Sequence, residues 1–449
     1  MKPSAEMRIA NAWICRITEN SIAPVFGDLL IQNRRIVEIR EKPFPDSIPS
    51  KSAEDEMTLD AGGRVLTLPL VNFHEHIYSR LAKGLPASGP QDNFIHILEN
   101  LWWKLDMALD AEMIEASARM AALESIRSGV TYIFDHHASP AHTRGSLDVI
   151  AEVLRQYGLR GNLCFETSDR NGAEASSDAL AENESFIRRH AKDKDFRGML
   201  GLHALFTLED ATLRKAADTL KENKAGIHIH AAEDKSDVQV NSEKYGLSLA
   251  RRLQNFDLLN SRSIVVHGVH LDAEDYRIIA ESGAALAYNP DSNLNNAVGL
   301  PRYADVPADI PVLAGTDGMH ANIARSLKQL FLLYRHQQND FGAAFGWFQK
   351  IYFDQLRFAN QYFPDFPGLR PGDRADFILW DYIPPTLFLA ENFWGHYIYG
   401  ILERPVHSVI QNGSFLMRDF VIPGTDPAKT GIEIFQQGRR LFNAIQKEK

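Results

Sequence analysis

Two histidine pairs, each with one residue between its members, stand far apart in the chain: His74 and His76 in Asn72-Phe73-His74-Glu75-His76, and His228 and His230 in His228-Ile229-His230-Ala231-Ala232-Glu233. Alternate residues of an extended strand point the same way, so each pair can face a common metal ion while Glu75 turns elsewhere. Two further elements offer what hydrolysis needs besides ligands. Val265-Val266-His267-Gly268 ends in a histidine able to hydrogen-bond an activated water or a developing oxyanion. Gly315-Thr316-Asp317-Gly318 places a carboxylate between small residues, where it can approach a metal closely and accept a proton from bound water. Glu233, three residues past His230, is suited to shuttle a proton. We expect one divalent ion, Zn²⁺ or Fe²⁺, on His74, His76, His230 and Asp317, with Glu233, His267 and Asp317 carrying out the chemistry. Such an ion lowers the pKa of water to about 7 and so supplies hydroxide at neutral pH. His228 stays open between a further ligand and a packed, hydrogen-bonded residue below the metal. Each element alone also reads as a satisfied polar strand end; together, in order, they favour one site.

The elements that must position these residues are apolar, β-type runs alternating with helical patterns: Val65 to Val71, Val130 to Asp135, Arg160 to Glu166, Gly198 to His203, Gly226 to His230, Ser263 to His267, Ala284 to Asn289 and Pro311 to Asp317. Helices are expected at Ala111 to Ser128, Leu147 to Tyr157, Glu182 to Ala191 and Ala211 to Asn223. Eight such runs predict an α/β fold with a parallel (β/α)₈ TIM barrel, whose strand ends converge on one face. Most of the runs finish on His, Asp, Glu or Asn, including the ambiguous His136 and His137 after Asp135. Both chain ends read as short strands, so a small β-sandwich built from residues 1–65 and 368–449 is expected to flank a barrel at residues 66–367.

Composition narrows the partners. The chain has 449 residues, 45% of them hydrophobic, enough for a large core. A net charge of -10 and a pI near 5.9 argue against nucleic acid or an anionic membrane and suit a small neutral or cationic substrate. Only Cys15 and Cys164 occur, which excludes a disulfide framework and a CxxC site and points to a reducing, cytoplasmic setting. Met1 to Asn20, with Glu6, Arg8 and Arg16, lacks the apolar core of a signal peptide, and no apolar stretch reaches the roughly 18 residues of a membrane span. Exposed barrel helices would offer a face for a homodimer.

The order H-x-H, H-x-x-E, His, G-T-D, flanked by a split β-module, resembles the amidohydrolase superfamily, in particular its cytosine-deaminase and chlorohydrolase-like branch. Dinuclear members carry a carboxylated Lys at the end of the fourth strand; here that strand ends in Gly201-Leu202-His203-Ala204, which implies the single-metal subtype. The strings Leu101-Trp102-Trp103-Lys104-Leu105-Asp106, Phe134-Asp135-His136-His137-Ala138-Ser139-Pro140 and Cys164-Phe165-Glu166-Thr167-Ser168-Asp169-Arg170-Asn171 are similar to the SsnA family of selenium-metabolism aminohydrolases. The usual Pro-Gly ahead of the metal motif reads Pro69-Leu70 here. The resemblance implies deamination of a purine-like or related nitrogen heterocycle, with His203, Glu166 and Arg170 touching the ring. Glu166 and Arg170 could equally form a structural ion pair, and Trp102 and Trp103 are open between pocket wall and core. A cyclic-amide hydrolase or chlorohydrolase would use the same site, and a metal-stabilised binding scaffold is the non-enzymatic alternative.

Overall fold

The computed structural model describes residues 7–43 and 57–447; Met1–Glu6, on which the reading of the N-terminus partly drew, lie outside them. Five parallel strands follow one another in register: Leu200–Ala204, Ile227–Ala231, Ile264–His267, Ala285–Tyr288 and Val312–Ala314. A second sheet runs Leu70–Glu75, Val130–His137, Arg160–Phe165, Phe196–Gly198. Isolated parallel bridges join the two sheets, Glu75 to Asp317 and Thr167 to Leu202. All eight residues of Val130–His137 are buried, as expected of strands covered on both faces. Helices fill the connections, among them Ala111–Arg127, Ser146–Gln156, Ala173–Arg189 and Asp210–Asn223.

Two expected elements differ. The run Val65 to Val71 is two strands: Val65–Thr67 joins the terminal sheet and Leu70–Glu75 starts the sheet that carries His74. Pro69 lies between them and cannot donate to a ladder. The helix expected at Glu182 begins nine residues earlier, at Ala173, because its first turns are polar and lack an apolar period.

The terminal strands form one eight-stranded sheet among the described residues, ordered Ser414–Met417, Val406–Gln411, Phe377–Trp380, Val65–Thr67, Met7–Ile17, Ile22–Gln32, Arg35–Glu41, with Thr58–Asp60 also beside Met7–Ile17. The hydrogen bonding is thus continuous where a sandwich was expected. Among the described residues, those of 7–71, 124–131 and 363–425 form one compact unit, and those of 72–123, 132–362 and 426–447 form the other. The terminal module was expected to run to residue 449, yet Pro427–Lys447 is a helix grouped with the second unit. It buries Leu441 and Ile445 and pairs Arg440 with Asp110 and Glu433 with Arg119. No helix among the described residues is long and apolar enough to cross a membrane.

Candidate metal centre

The histidines converge at the carboxyl ends of the parallel strands. His76 Nδ1 donates to the carbonyl of His136 (2.6 Å) and His230 Nδ1 to that of His203 (2.9 Å). A carbonyl only accepts, so in each neutral ring Nε2 keeps its lone pair. Those two Nε2 atoms lie 3.2 Å apart, an arrangement that needs a proton or a cation between them. His74 Nδ1 bonds His228 Nε2 at 2.9 Å, and its Nε2 is buried without a hydrogen-bond partner. Asp317 Oδ1 stands 3.0 Å from His76 Nε2 and 3.6 Å from His74 Nε2. Ligand atoms lie within 4.8 Å of one another in His74, His76 and His230, and again in His74, His267 and Asp317. Imidazoles and one carboxylate with an orphaned ring nitrogen are a donor set that fits a divalent ion. His228 sits behind His74 and orients it.

Burial pushes His74 down to about 4 and His267 to about 3, so these rings are neutral near pH 7. Burial opposes charge on His76 too, but the Asp317 carboxylate outweighs it and raises that ring to about 9. Asp317 is held below the usual carboxylate range: burial opposes this, and the neighbouring His74 and His76 rings prevail. Glu233 is moved the opposite way, by burial and by the nearby Asp317 charge. Two carboxyl groups in one cavity are thus pushed apart, one toward base and one toward acid.

The backbone is unusual at these positions. His267, Asp317 and Ala232 have φ of 70°, 55° and 52°, a region that side-chain-bearing residues seldom occupy and that clusters at functional sites. The turn through Ala232 is held by Asp237, which accepts from the backbone N–H of Ala232 (2.8 Å) and of Phe206 (3.2 Å). This aims Glu233 so that Oε2 is 3.4 Å from His267 Nε2 while Oε1 accepts from Asn296 (3.4 Å). Asn293 bonds His267 Nδ1 at 3.0 Å, leaving Nε2–H to face Glu233 and, at 3.8 Å, Asp317 Oδ2. Gly315 lets the last strand lie against the first: a Cβ there would sit 2.7 Å from His74 Cβ and 2.3 Å from Asn289 Oδ1.

Residues 65–416, most of the chain, match the amidohydrolase family. The chain belongs to the amidohydrolase family. It is 27% identical to a 5-methylthioadenosine/S-adenosylhomocysteine deaminase of Desulforudis audaxviator over 97% of this chain and 99% of that one. It is likewise 27% identical to a 5'-deoxyadenosine deaminase of Methanosarcina barkeri, over 95% of this chain and 96% of the relative. In fold it is similar to an adenosine deaminase from Xanthomonas campestris with bound zinc (TM-score 0.77, 19% identity, 98% of this chain and 100% of that one). It is also similar to a zinc complex of atrazine chlorohydrolase from Arthrobacter aurescens (TM-score 0.78, 18% identity, 96% and 100%).

Beside the histidine cluster this amidohydrolase has a pocket whose aromatic wall includes Tyr78, Phe94, Trp102, Trp103 and Phe206. Both tryptophans come from a stretch where Leu98–Trp102 winds as a π-helix between two short α-helical turns, a local widening frequent at functional sites. His203 and Glu166 also line the pocket, whereas Arg170 stands behind it. Arg170 pairs with Asp106, lies 3.5 Å from Glu166 Oε1 and stacks over Trp103 with its guanidinium carbon 5.1 Å from the ring centre. His203 Nδ1 bonds Thr207 Oγ1 (2.9 Å), and its Nε2 is 3.9 Å from Glu166. His136 is buried beside His230, and His137 bonds Ser139 Oγ at 2.8 Å. Sequence reasoning missed Asp106, Asp237, Asn293 and Asn296. A signal existed for the asparagines: Asn289, Asn293 and Asn296 fall at i, i+4 and i+7, one face of the turn beginning at Pro290.

Proposed function

We propose that this amidohydrolase is a metal-dependent heterocycle aminohydrolase, hydrolysing the carbon–nitrogen bond of a cyclic amidine with release of ammonia. The observation that carries the reading is the convergence of the His74, His76 and His230 rings beside Asp317, with Glu233 and His267 on the facing side. His74, His76, His230 and Asp317 would hold one ion, with zinc favoured by the three imidazoles. Bound there, a divalent ion supplies water activation near neutral pH. Asp317 accepts the proton of the attacking water through Oδ2. Glu233, kept protonated by burial and by Asp317, delivers a proton to the ring nitrogen next to the reacting carbon and so opens that carbon to attack; the proton taken by Asp317 then passes to the amino group, which leaves as ammonia. His267 Nε2–H donates to the oxygen as charge develops on it. His203 and Glu166 face the ring, and Arg170 fixes Glu166 and Trp103.

Deaminase relatives that act on adenosine-type nucleosides support a purine-like substrate. The two bridges and the parallel ladders support a closed (β/α)₈ barrel over residues 66–367, with a β-module from the chain ends. Buried free thiols at Cys15 and Cys164 accord with a reducing, cytoplasmic setting. Ammonia release across amino-purines, adenosine-type nucleosides, pteridines and pyrimidines identifies the substrate. On that substrate Glu233→Gln should lower kcat on the order of 10³-fold with metal content unchanged; turnover at the parent rate would remove the proton-delivery role.

A further inference from the structure

A third group of side chains offers ligand atoms, and one of its members, His136, has no part in the chemistry above. His136 Nε2 lies 3.1 Å from the carbonyl of Leu202 and 3.2 Å from that of His228. Both partners only accept, so Nε2 carries the hydrogen and Nδ1 is a bare lone pair. That Nδ1 is buried, has no hydrogen-bond partner and faces Glu166 Oε2 at 3.7 Å. The separation is too long for a hydrogen bond. It is close to the edge of a coordination polyhedron: nitrogen and oxygen each about 2.1 Å from one ion at a tetrahedral angle stand roughly 3.4 Å apart. His230 completes the group, with one ligand atom from each of the three residues within 4.8 Å of the others.

We propose that this amidohydrolase has a second, weaker divalent-cation position on His136 Nδ1 and the Glu166 carboxylate, beside the ion held by His74, His76, His230 and Asp317. A single ring nitrogen serves one ion at a time, so His230 stays with the first ion and the second fills its shell with solvent or substrate. The surroundings favour positive charge, since the carboxylates of Glu166 and Asp317 line the same pocket. The nearby cation Arg170 is engaged most closely by Asp106 and stands 3.5 Å from the other oxygen of Glu166. Glu166 also faces the substrate in the function proposed above, so an ion on it competes for that contact and excess metal inhibits.

The inference rests on the proposed first ion, and metal counting separates the two. Protein stripped with chelator and titrated with Zn²⁺ or Co²⁺ is assayed by elemental analysis, and by the visible spectrum for cobalt. The parent should take up one tight and one weak equivalent. Glu166→Gln should keep the tight one and weaken the second on the order of a hundredfold, and His136→Gln should do the same where it folds. A parent that stops at one equivalent, or a folded Glu166→Gln variant that still binds two like the parent, overturns the second position alone. A parent that binds none overturns the first ion as well.

Discussion

The cavity has two walls of different construction. On one side His74, His230, His267 and Asp317 sit at or just past the ends of parallel strands, and each ring is locked by a carbonyl, another imidazole or an amide. On the other, Trp102, Trp103, Asp106, Glu166 and Arg170 come from a π-helical turn, the short α-helix Trp103–Met107 that follows it and loop residues, tied by one ion-pair cluster and an Arg–Trp stack. The first wall is preorganised by the sheet ladder, the second by side chains holding one another. In the proposed mechanism the chemistry therefore belongs to the rigid side, and the choice of substrate to the side that tolerates change.

The contrast is broken most severely at Asp317. Asp317→Asn removes a ligand and the proton acceptor together, and kcat should fall on the order of 10⁴-fold with loss of bound metal; elemental analysis and ammonia release check both. His228→Phe leaves His74 Nδ1 without its partner and should weaken metal affinity by about 10- to 100-fold, read by competition with a chelator. Across the cavity Arg170→Lys gives up the stack on Trp103 and the fork to Asp106. KM should rise about tenfold with a small change in kcat and no change in metal content. A large fall in kcat with unchanged KM would mean that the two walls do not divide the work in this way.

The smallest effect is on stability. Burial pushes Asp135 up to about 7, against the Ile77 N–H that it accepts at 2.7 Å. An unfolded aspartate titrates near 4, so the folded chain keeps this proton between about pH 4 and pH 7. The stability it lends is complete below about 4 and is lost as pH rises through about 7. The melting temperature should thus be lower at pH 8 than at pH 6, and Asp135→Asn, which keeps the acceptor oxygen, should shrink that difference by a few degrees.

The same division governs what could be read from the sequence. Strand ends advertise themselves through apolar runs and two-residue spacing, so the places of His74, His76, His230, His267 and Asp317 were legible, as was the alternation of strand and helix. The Val65 to Val71 run misled because one apolar stretch serves two sheets. Nothing local marks Asp106 or Asp237: their role exists only through partners 64 and 5 residues away, Arg170 and the Ala232 N–H. Trp102 and Trp103 were undecided because a π-helical turn shifts which faces adjacent residues present, and helical periodicity assumes it away.

The seam beside Gly315 ties Asn72 to Thr316, 244 positions along the chain, next to the residues that would grip the ion. A nascent chain cannot assemble this grip until most of the polypeptide has left the ribosome, so metal acquisition is a late event in maturation. Once seated, an ion there would act as a clasp on this long loop, and its removal should free amide hydrogens along that seam.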